Sequence, residues 1–197
     1  MPNEMELIGF ATGIAGVYLT IRRSPFCWPI GAINVLLYCY LFYSEKLYAD
    51  ALLQVVFFIF TLYGWFLWTH NAESFHPDDS PLKVSKSSLK EIMLGISLIL
   101  PLSFILGYVL HQYTDASLPY FDSLLAVMSM WGQYLQTKKR IEHWYVWVLV
   151  DALYIILYIM KDLMLTSLLY AGFLILAVQG IIAWRKVLGS PTKNFAQ

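Results

Sequence analysis

Residues 16–28 read GVYLTIRRSPFCW, and residues 132–144 read GQYLQTKKRIEHW. The two stretches lie 116 positions apart and pair Gly16 with Gly132, Tyr18 with Tyr134, Leu19 with Leu135 and Trp28 with Trp144. The same offset carries residues 12–68 onto 128–184 without a gap. Leu37, Tyr38, Leu41, Leu47, Leu52 and Leu53 meet Leu153, Tyr154, Leu157, Leu163, Leu168 and Leu169. Phe57, Ile59, Gly64 and Trp68 then meet Phe173, Ile175, Gly180 and Trp184. A leucine-rich chain yields some matches by chance, but not paired tryptophans, glycines and tyrosines in one frame. An internal repeat sets the architecture, and here it predicts one three-helix unit used twice.

Hydrophobic residues make up 59% of the 197, charged residues only 13%, and the mean hydropathy is +0.60. A soluble domain carries about 25% charged residues, so this chain lacks a polar skin and is expected to be an all-α membrane protein. Its length leaves room for a single membrane domain, 1–197. The expected subdivision is a first repeat at 5–69, a linker loop and helix at 70–110 and a second repeat at 119–186. A formal net charge of zero gives no reason to expect nucleic acid. Cys27 and Cys39 sit in apolar sequence and read as small buried hydrophobes, not as a disulfide framework or metal site. Glu4 and Glu6 precede the first apolar segment, which therefore reads as a retained helix and not as a signal peptide.

A spanning helix needs about 20 apolar residues. Seven segments meet or approach this: 5–21, 27–43, 48–69, 91–110, 119–136, 144–160 and 163–184. The stretch 70–90 reads as a solvated loop. With seven spans, every basic residue except Lys46 and Lys161 falls on one side of the membrane. Basic loops stay in the cytoplasm, which puts the N-terminus outside and the C-terminus inside. Three helices reverse the chain, so one linker helix must intervene before a parallel second copy. The expected layout is two parallel three-helix repeats joined by that helix, 3+1+3. Parallel repeats recur in transporters that hold substrate near the midplane.

Trp144, Trp147 and Asp151 share one helical face, and Asp151 lies about 10 Å along the helix from Trp144. A carboxylate at mid-membrane costs roughly 2.5–3.5 kcal/mol and marks substrate or ion paths. Aromatic faces beside it suit a planar cation. Asn34 and Tyr38 occupy the corresponding face of the second span; Gln54, Phe58, Thr61, Trp65 and Trp68 form a similar stripe on the third. For Asn34 and Gln54 two readings stand, a substrate contact or an interhelical bond. Glu6 and Asp122, at the outer ends of their helices, either attract an entering cation or stabilise helix N-termini. No phosphate-binding loop, H-E-x-x-H or G-x-S-x-G motif is present. The four histidines lack ligand spacing, so no enzyme, cofactor or metal is expected.

Ile33-Asn34-Val35, Leu47-Tyr48-Ala49 leading to Leu53-Gln54, Tyr63-Gly64-Trp65 through Trp68, Phe121-Asp122-Ser123, and the basic run through Glu142 into Trp144-x-x-Trp147 form a recognisable set. Together they resemble the PnuC family of bacterial vitamin transporters over essentially all of 5–186. The resemblance implies a seven-helix, homotrimeric inner-membrane protein related to sugar-carrying SWEETs. It also implies facilitated diffusion, with a cytoplasmic vitamin kinase trapping the product by phosphorylation. Family members carry nicotinamide riboside, thiamine or riboflavin. The nicotinamide riboside branch resembles W-x-x-W-x-x-x-N, whereas this chain ends the pattern with Asp151 and looks more like the thiamine type. Thiamine and nicotinamide riboside are both flat cations that suit Asp151, with thiamine placed first; neutral riboflavin gains nothing from the charge. On this reading the substrate contacts are Asn34, Tyr38, Gln54, Trp144, Trp147, Asp151 and Tyr154. A riboflavin carrier, a SWEET-like sugar carrier and a non-transporting membrane scaffold are the alternatives.

Overall fold

Backbone groups inside a bilayer must be satisfied within the chain, and long apolar runs meet that demand as helices. The computed structural model describes residues 2–44, 48–70, 82–114, 118–160, 162 and 164–189, without the side chains of 2–4, 6, 48–50 and 165. Among them are seven helices: α1 (Pro2–Ile21), α2 (Cys27–Ser44), α3 (Tyr48–Thr69), α4 (Leu89–Tyr113), α5 (Pro119–Thr137), α6 (Glu142–Met160) and α7 (Met164–Gly189). Five of them, α2, α3, α4, α6 and α7, are long and apolar enough to cross a membrane. In α1 the side chains are described without a break only over the apolar stretch Leu7–Ile21, which is shorter than a span. α5 falls below the spanning criterion for a different reason. It is the most enclosed helix, burying Ser123, Ser129, Gly132 and Thr137 beside Leu125, Val127 and Leu135, so its surface need not match lipid.

Helices adjacent in sequence pack together as α1 with α2, α2 with α3, α5 with α6, and α6 with α7. Two seams join these groups, α3 against α5 and α1 against α7, while α4 packs on α5 alone. The face of α4 toward α5 is made of small residues, Gly95, Ser103 and Gly107, and Trp131 lies over Gly95. Close backbone approach through small residues is how helices associate without a hydrophobic driving force. Ser88 opens α4 by accepting a bond from the Glu91 amide at 3.2 Å.

The turns that end α1 and α5 are built alike. Arg23 and Lys139, 116 positions apart, both adopt left-handed backbone, φ 60° and 49°. The Arg23 amide donates to Thr20 O at 2.9 Å, and Lys139 to Gln136 O at 3.0 Å. Ser24 donates to Leu19 O at 2.9 Å, and Arg140 to Leu135 O at 3.0 Å. These bonds satisfy the carbonyls that each helix end leaves open.

Below the turns lies an aromatic core of Trp28, Trp68, Trp144 and Trp184, each at most 2% exposed. Trp28 meets Trp68 edge-on at 5.3 Å and 89°, and Trp144 meets Trp184 at 5.8 Å and 89°. Such T-shaped contacts favour the aromatic quadrupole. Gly64 and Gly180 make room: a Cβ on either would run into the ring of Trp28 or Trp144. His143 is buried here too, 4.4 Å from Trp144 and 4.7 Å from Trp184. Cys27 is buried and Cys39 partly so, both as free thiols, the small apolar role read from sequence.

The stretch 70–90 is not wholly a solvated loop; residues 71–81 lie outside the described residues, but 82–88 is docked. Leu82 and Val84 pack on the aromatic core. Ser85 donates to Lys139 O at 3.1 Å and accepts from Ile141 N at 2.9 Å. Ser87 donates to Glu142 Oε2 through both its amide (2.8 Å) and its hydroxyl (2.9 Å). Arg140 adds a bond to Ser85 Oγ at 2.8 Å and an ion pair with Glu91 at 3.1 Å. Acceptors of the α5–α6 turn (Lys139 O, the Glu142 carboxylate) and its donors (Ile141 N, Arg140) together draw this segment out of solvent. The joints at 44–47 and 160–163 lie largely outside the described residues.

Candidate functional site

Among the described residues, a cavity of about 1040 Å³ runs between the two groups of helices. Its rim includes the exposed residues Leu7, Phe10 and Leu168, and its floor is Trp28, Trp144, Thr20 and Gln136. On the floor, Gln136 Nε2 lies 3.5 Å from Thr20 Oγ1, and these two residues are 116 positions apart. Lining residues at that offset recur along the walls: Phe57 with Phe173, Thr61 with Ala177, Gln54 with Tyr170, and Phe42 with Tyr158.

Trp144, Trp147 and Asp151 all line the cavity from α6, as their helical spacing predicts. Asp151 is 5% exposed. Its carboxyl group makes no hydrogen bond or ion pair among the described residues, so none of them offsets its charge. Burying a carboxylate without a partner is costly, which makes the position suited to a cation entering from the cavity.

Asn34, Tyr38 and Gln54 also line the cavity. Asn34 meets both readings at once. Its amide donates to Gly9 O at 2.6 Å and Thr12 Oγ1 at 3.0 Å, tying α2 to α1, while its carbonyl oxygen accepts nothing from the described residues. Gln54 has no hydrogen-bond partner among the described residues. Tyr154 is not in the lining; it stacks behind it, 5.8 Å from Tyr158 and 4.6 Å from Tyr170. The α3 stripe also needs correction. Gln54, Phe57 and Thr61 face the cavity, whereas Trp65 is 37% exposed and Trp68 belongs to the buried core. A stripe every three to four residues drifts around a helix, and its lower end turns from cavity to core. Asp122 lies in the first turn of α5, outside the lining, and the Glu6 side chain lies outside the described residues.

Three lining side chains, Tyr158, Tyr170 and Phe173, were not singled out from the sequence. Tyr158 and Tyr170 stack at 5.2 Å and Phe173 meets Tyr170 edge-on at 6.0 Å, which completes an aromatic wall above Asp151. The repeat offset was the available signal: it maps Gln54 onto Tyr170 and Phe57 onto Phe173.

Residues 3–186 match the family model described as "Nicotinamide mononucleotide transporter". The chain belongs to the PnuC transporter family. It is therefore a member of a transporter family and not an enzyme. It is 26% identical to the nicotinamide riboside transporter PnuC of Escherichia coli K12, over 91% of this chain and 84% of that one. It is 22% identical to the riboflavin/roseoflavin transporter RibM of Streptomyces davaonensis, over 91% and 83%. The fold is similar to that in a crystal structure of the vitamin B3 transporter PnuC. The TM-score is 0.75 and the identity 23%, with 93% of this chain and 81% of that chain covered. The helices and composition agree with a multi-pass membrane transporter.

Proposed function

We propose that this member takes up a flat cationic vitamin across the bacterial inner membrane, thiamine first and nicotinamide riboside second. One observation carries the choice: Asp151, buried and without a partner among the described residues, lines the cavity beside Trp144 and Trp147. A ring cation resting on an indole face and compensated by a carboxylate satisfies both groups. Neutral riboflavin, named for the Streptomyces relative, leaves the charge unmet, and so does a sugar of the SWEET type.

In this reading α1–α3 and α5–α7 are two parallel units, α4 is the linker, and all seven helices cross the membrane. The recurrence of turn bonds, tryptophan pairs and cavity residues at one offset supports it. The N-terminus is periplasmic and the C-terminus cytoplasmic, as the distribution of basic residues favours. Uptake is facilitated diffusion by a homotrimer, with a cytoplasmic vitamin kinase consuming the imported substrate; the family resemblance supports this part.

Titration of the purified protein with thiamine, nicotinamide riboside and riboflavin, read by tryptophan fluorescence, tests the proposal. The expected result is saturable quenching by the two cations and little by riboflavin. Tight binding of riboflavin alone would overturn the cation assignment, and no response to any vitamin would favour a sugar carrier or scaffold.

A further inference from the structure

The two walls of the cavity differ at several positions of the repeat, and two of these lie one helical turn apart on α2 and α6. On α6 the face reads Trp144, Trp147, Asp151; at the same offset on α2 it reads Trp28, Gly31, Val35. Five of these six place a side chain on the cavity, whereas Gly31, the counterpart of Trp147 in the repeat, places none. A Cβ built on Gly31 meets nothing within 4 Å. Its backbone is helical and no glycine of the chain has positive φ. Glycine in a helix interior is destabilising relative to alanine, and neither a close neighbour nor the backbone requires it here. Gly64 and Gly180, by contrast, are required by the rings above them.

The charge is just as one-sided. Asp151 is 5% exposed and has no hydrogen-bond or ion-pair partner among the described residues, and its counterpart is Val35. Beside Gly31 on the same helical face, the Asn34 amide nitrogen holds α1, while its carbonyl oxygen accepts nothing from the described residues. Gln54, also on the lining, has neither donor nor acceptor engaged among the described residues.

We propose that the recess over Gly31 is a second subsite, which receives the uncharged, hydroxyl- or amine-bearing ring of a two-ring ligand. The cationic ring of the same ligand lies against Trp147 and Asp151. Gly31 then sets the largest second ring that the cavity admits. The inference rests on the cation reading of Asp151 and deepens it, because it specifies what the rest of the ligand must be: a second ring with hydrogen-bonding edges and no charge.

The test compares two-ring cations, thiamine and nicotinamide riboside, with one-ring cations, an N-methylthiazolium and 1-methylnicotinamide. Binding is measured by tryptophan quenching on wild type, Gly31→Ala, Gly31→Leu, Gly31→Trp and Asp151→Asn. With increasing size at position 31, affinity for the two-ring cations should fall stepwise, by at least 30-fold at Gly31→Leu. The one-ring cations should stay within about 3-fold of wild type, which also reports that each variant is folded. Should Gly31→Trp fail to fold, the Ala and Leu variants carry the comparison. Two-ring affinity within 3-fold of wild type in Gly31→Leu would overturn the proposal, and so would equal loss of both ligand classes. Asp151→Asn tests the underlying reading separately: it should weaken both classes, and no change there would overturn the cation site while leaving the Gly31 series interpretable.

Discussion

The indole N–H of Trp68 reaches across the seam between α3 and α5 to the backbone carbonyl of Thr137, 3.1 Å away. Its counterpart Trp184 crosses the α1–α7 seam to the carbonyls of Thr20 and Ile21, each at 3.2 Å, and Ile21 is the residue 116 before Thr137. Each group of three helices therefore latches the other by the same bond. Both latches lie beneath the cavity floor, so a path through the floor requires them to release. Trp68→Phe and Trp184→Phe keep the ring and remove the donor. A buried hydrogen bond contributes about 0.5–1.5 kcal/mol net, so each variant should melt a few degrees lower in detergent, and the double variant lower still. If the floor is the gate, substrate exchange in proteoliposomes should also speed up. A lower melting point with unchanged or slower exchange would limit the latches to stability.

Gly64→Ala and Gly180→Ala should each destabilise the protein by about 1–3 kcal/mol, the usual cost of overpacking a tight core. The methyl would meet the rings of Trp28 and Trp144, which are themselves held by Trp68 and Trp184. Thermal melts of the two variants should fall by similar amounts because the two notches are built alike. Gly16→Ala, where a Cβ meets nothing within 4 Å, is the control and should melt at or above wild type.

These same residues explain how much was legible in the sequence. Gly64, Gly180, Trp28, Trp144, Trp68 and Trp184 stand out in the ungapped self-alignment, and together they form the packing unit that a duplicated fold must keep. Helix bounds were readable within a few residues because charged or turn-forming residues interrupt the apolar runs. The cavity wall was read on α6, where Trp144, Trp147 and Asp151 depend only on the period of one helix. Tyr158 on α6 and Tyr170 and Phe173 on α7 were missed, since which further residues of a helix reach the cavity depends on its packing against distant parts of the chain, such as α7 on α1. The docking of 82–88 was missed for a related reason: its partners, Lys139, Ile141 and Glu142, lie some 55 residues away and share no pattern with it.

Glu142→Gln weakens the acceptor that holds Ser87 by two bonds, and should loosen the 82–88 segment. Hydrogen bonds to a charged acceptor contribute about 1.5–3 kcal/mol, so trypsin should cut at Lys83 or Lys86 several times faster than in wild type. In the proposed orientation that cleavage occurs only in inside-out vesicles. Equal cleavage in wild type and variant would mean that the strap is held by its backbone bonds to the α5–α6 turn. Cleavage from the periplasmic side would overturn the orientation.

Asp151→Asn keeps shape and hydrogen bonding while removing the charge, so it isolates the electrostatic contribution at the cavity wall. Removing one member of a desolvated charge pair costs about 2–5 kcal/mol in affinity, which corresponds to a loss of roughly 30-fold or more for thiamine. Asparagine is also the residue that the nicotinamide riboside branch resembles at this place. The variant should therefore lose less affinity for nicotinamide riboside than for thiamine, and the order of preference should reverse. Calorimetric titration of both proteins with both vitamins measures the four constants needed. An unpartnered carboxylate buried among aromatic rings is unfavourable to folding, so the variant should also melt higher in the absence of ligand. Raised stability together with weakened thiamine binding would be the signature of a residue retained for its ligand. Unchanged affinity for both vitamins in a folded variant would assign Asp151 to packing and move the binding site elsewhere in the cavity.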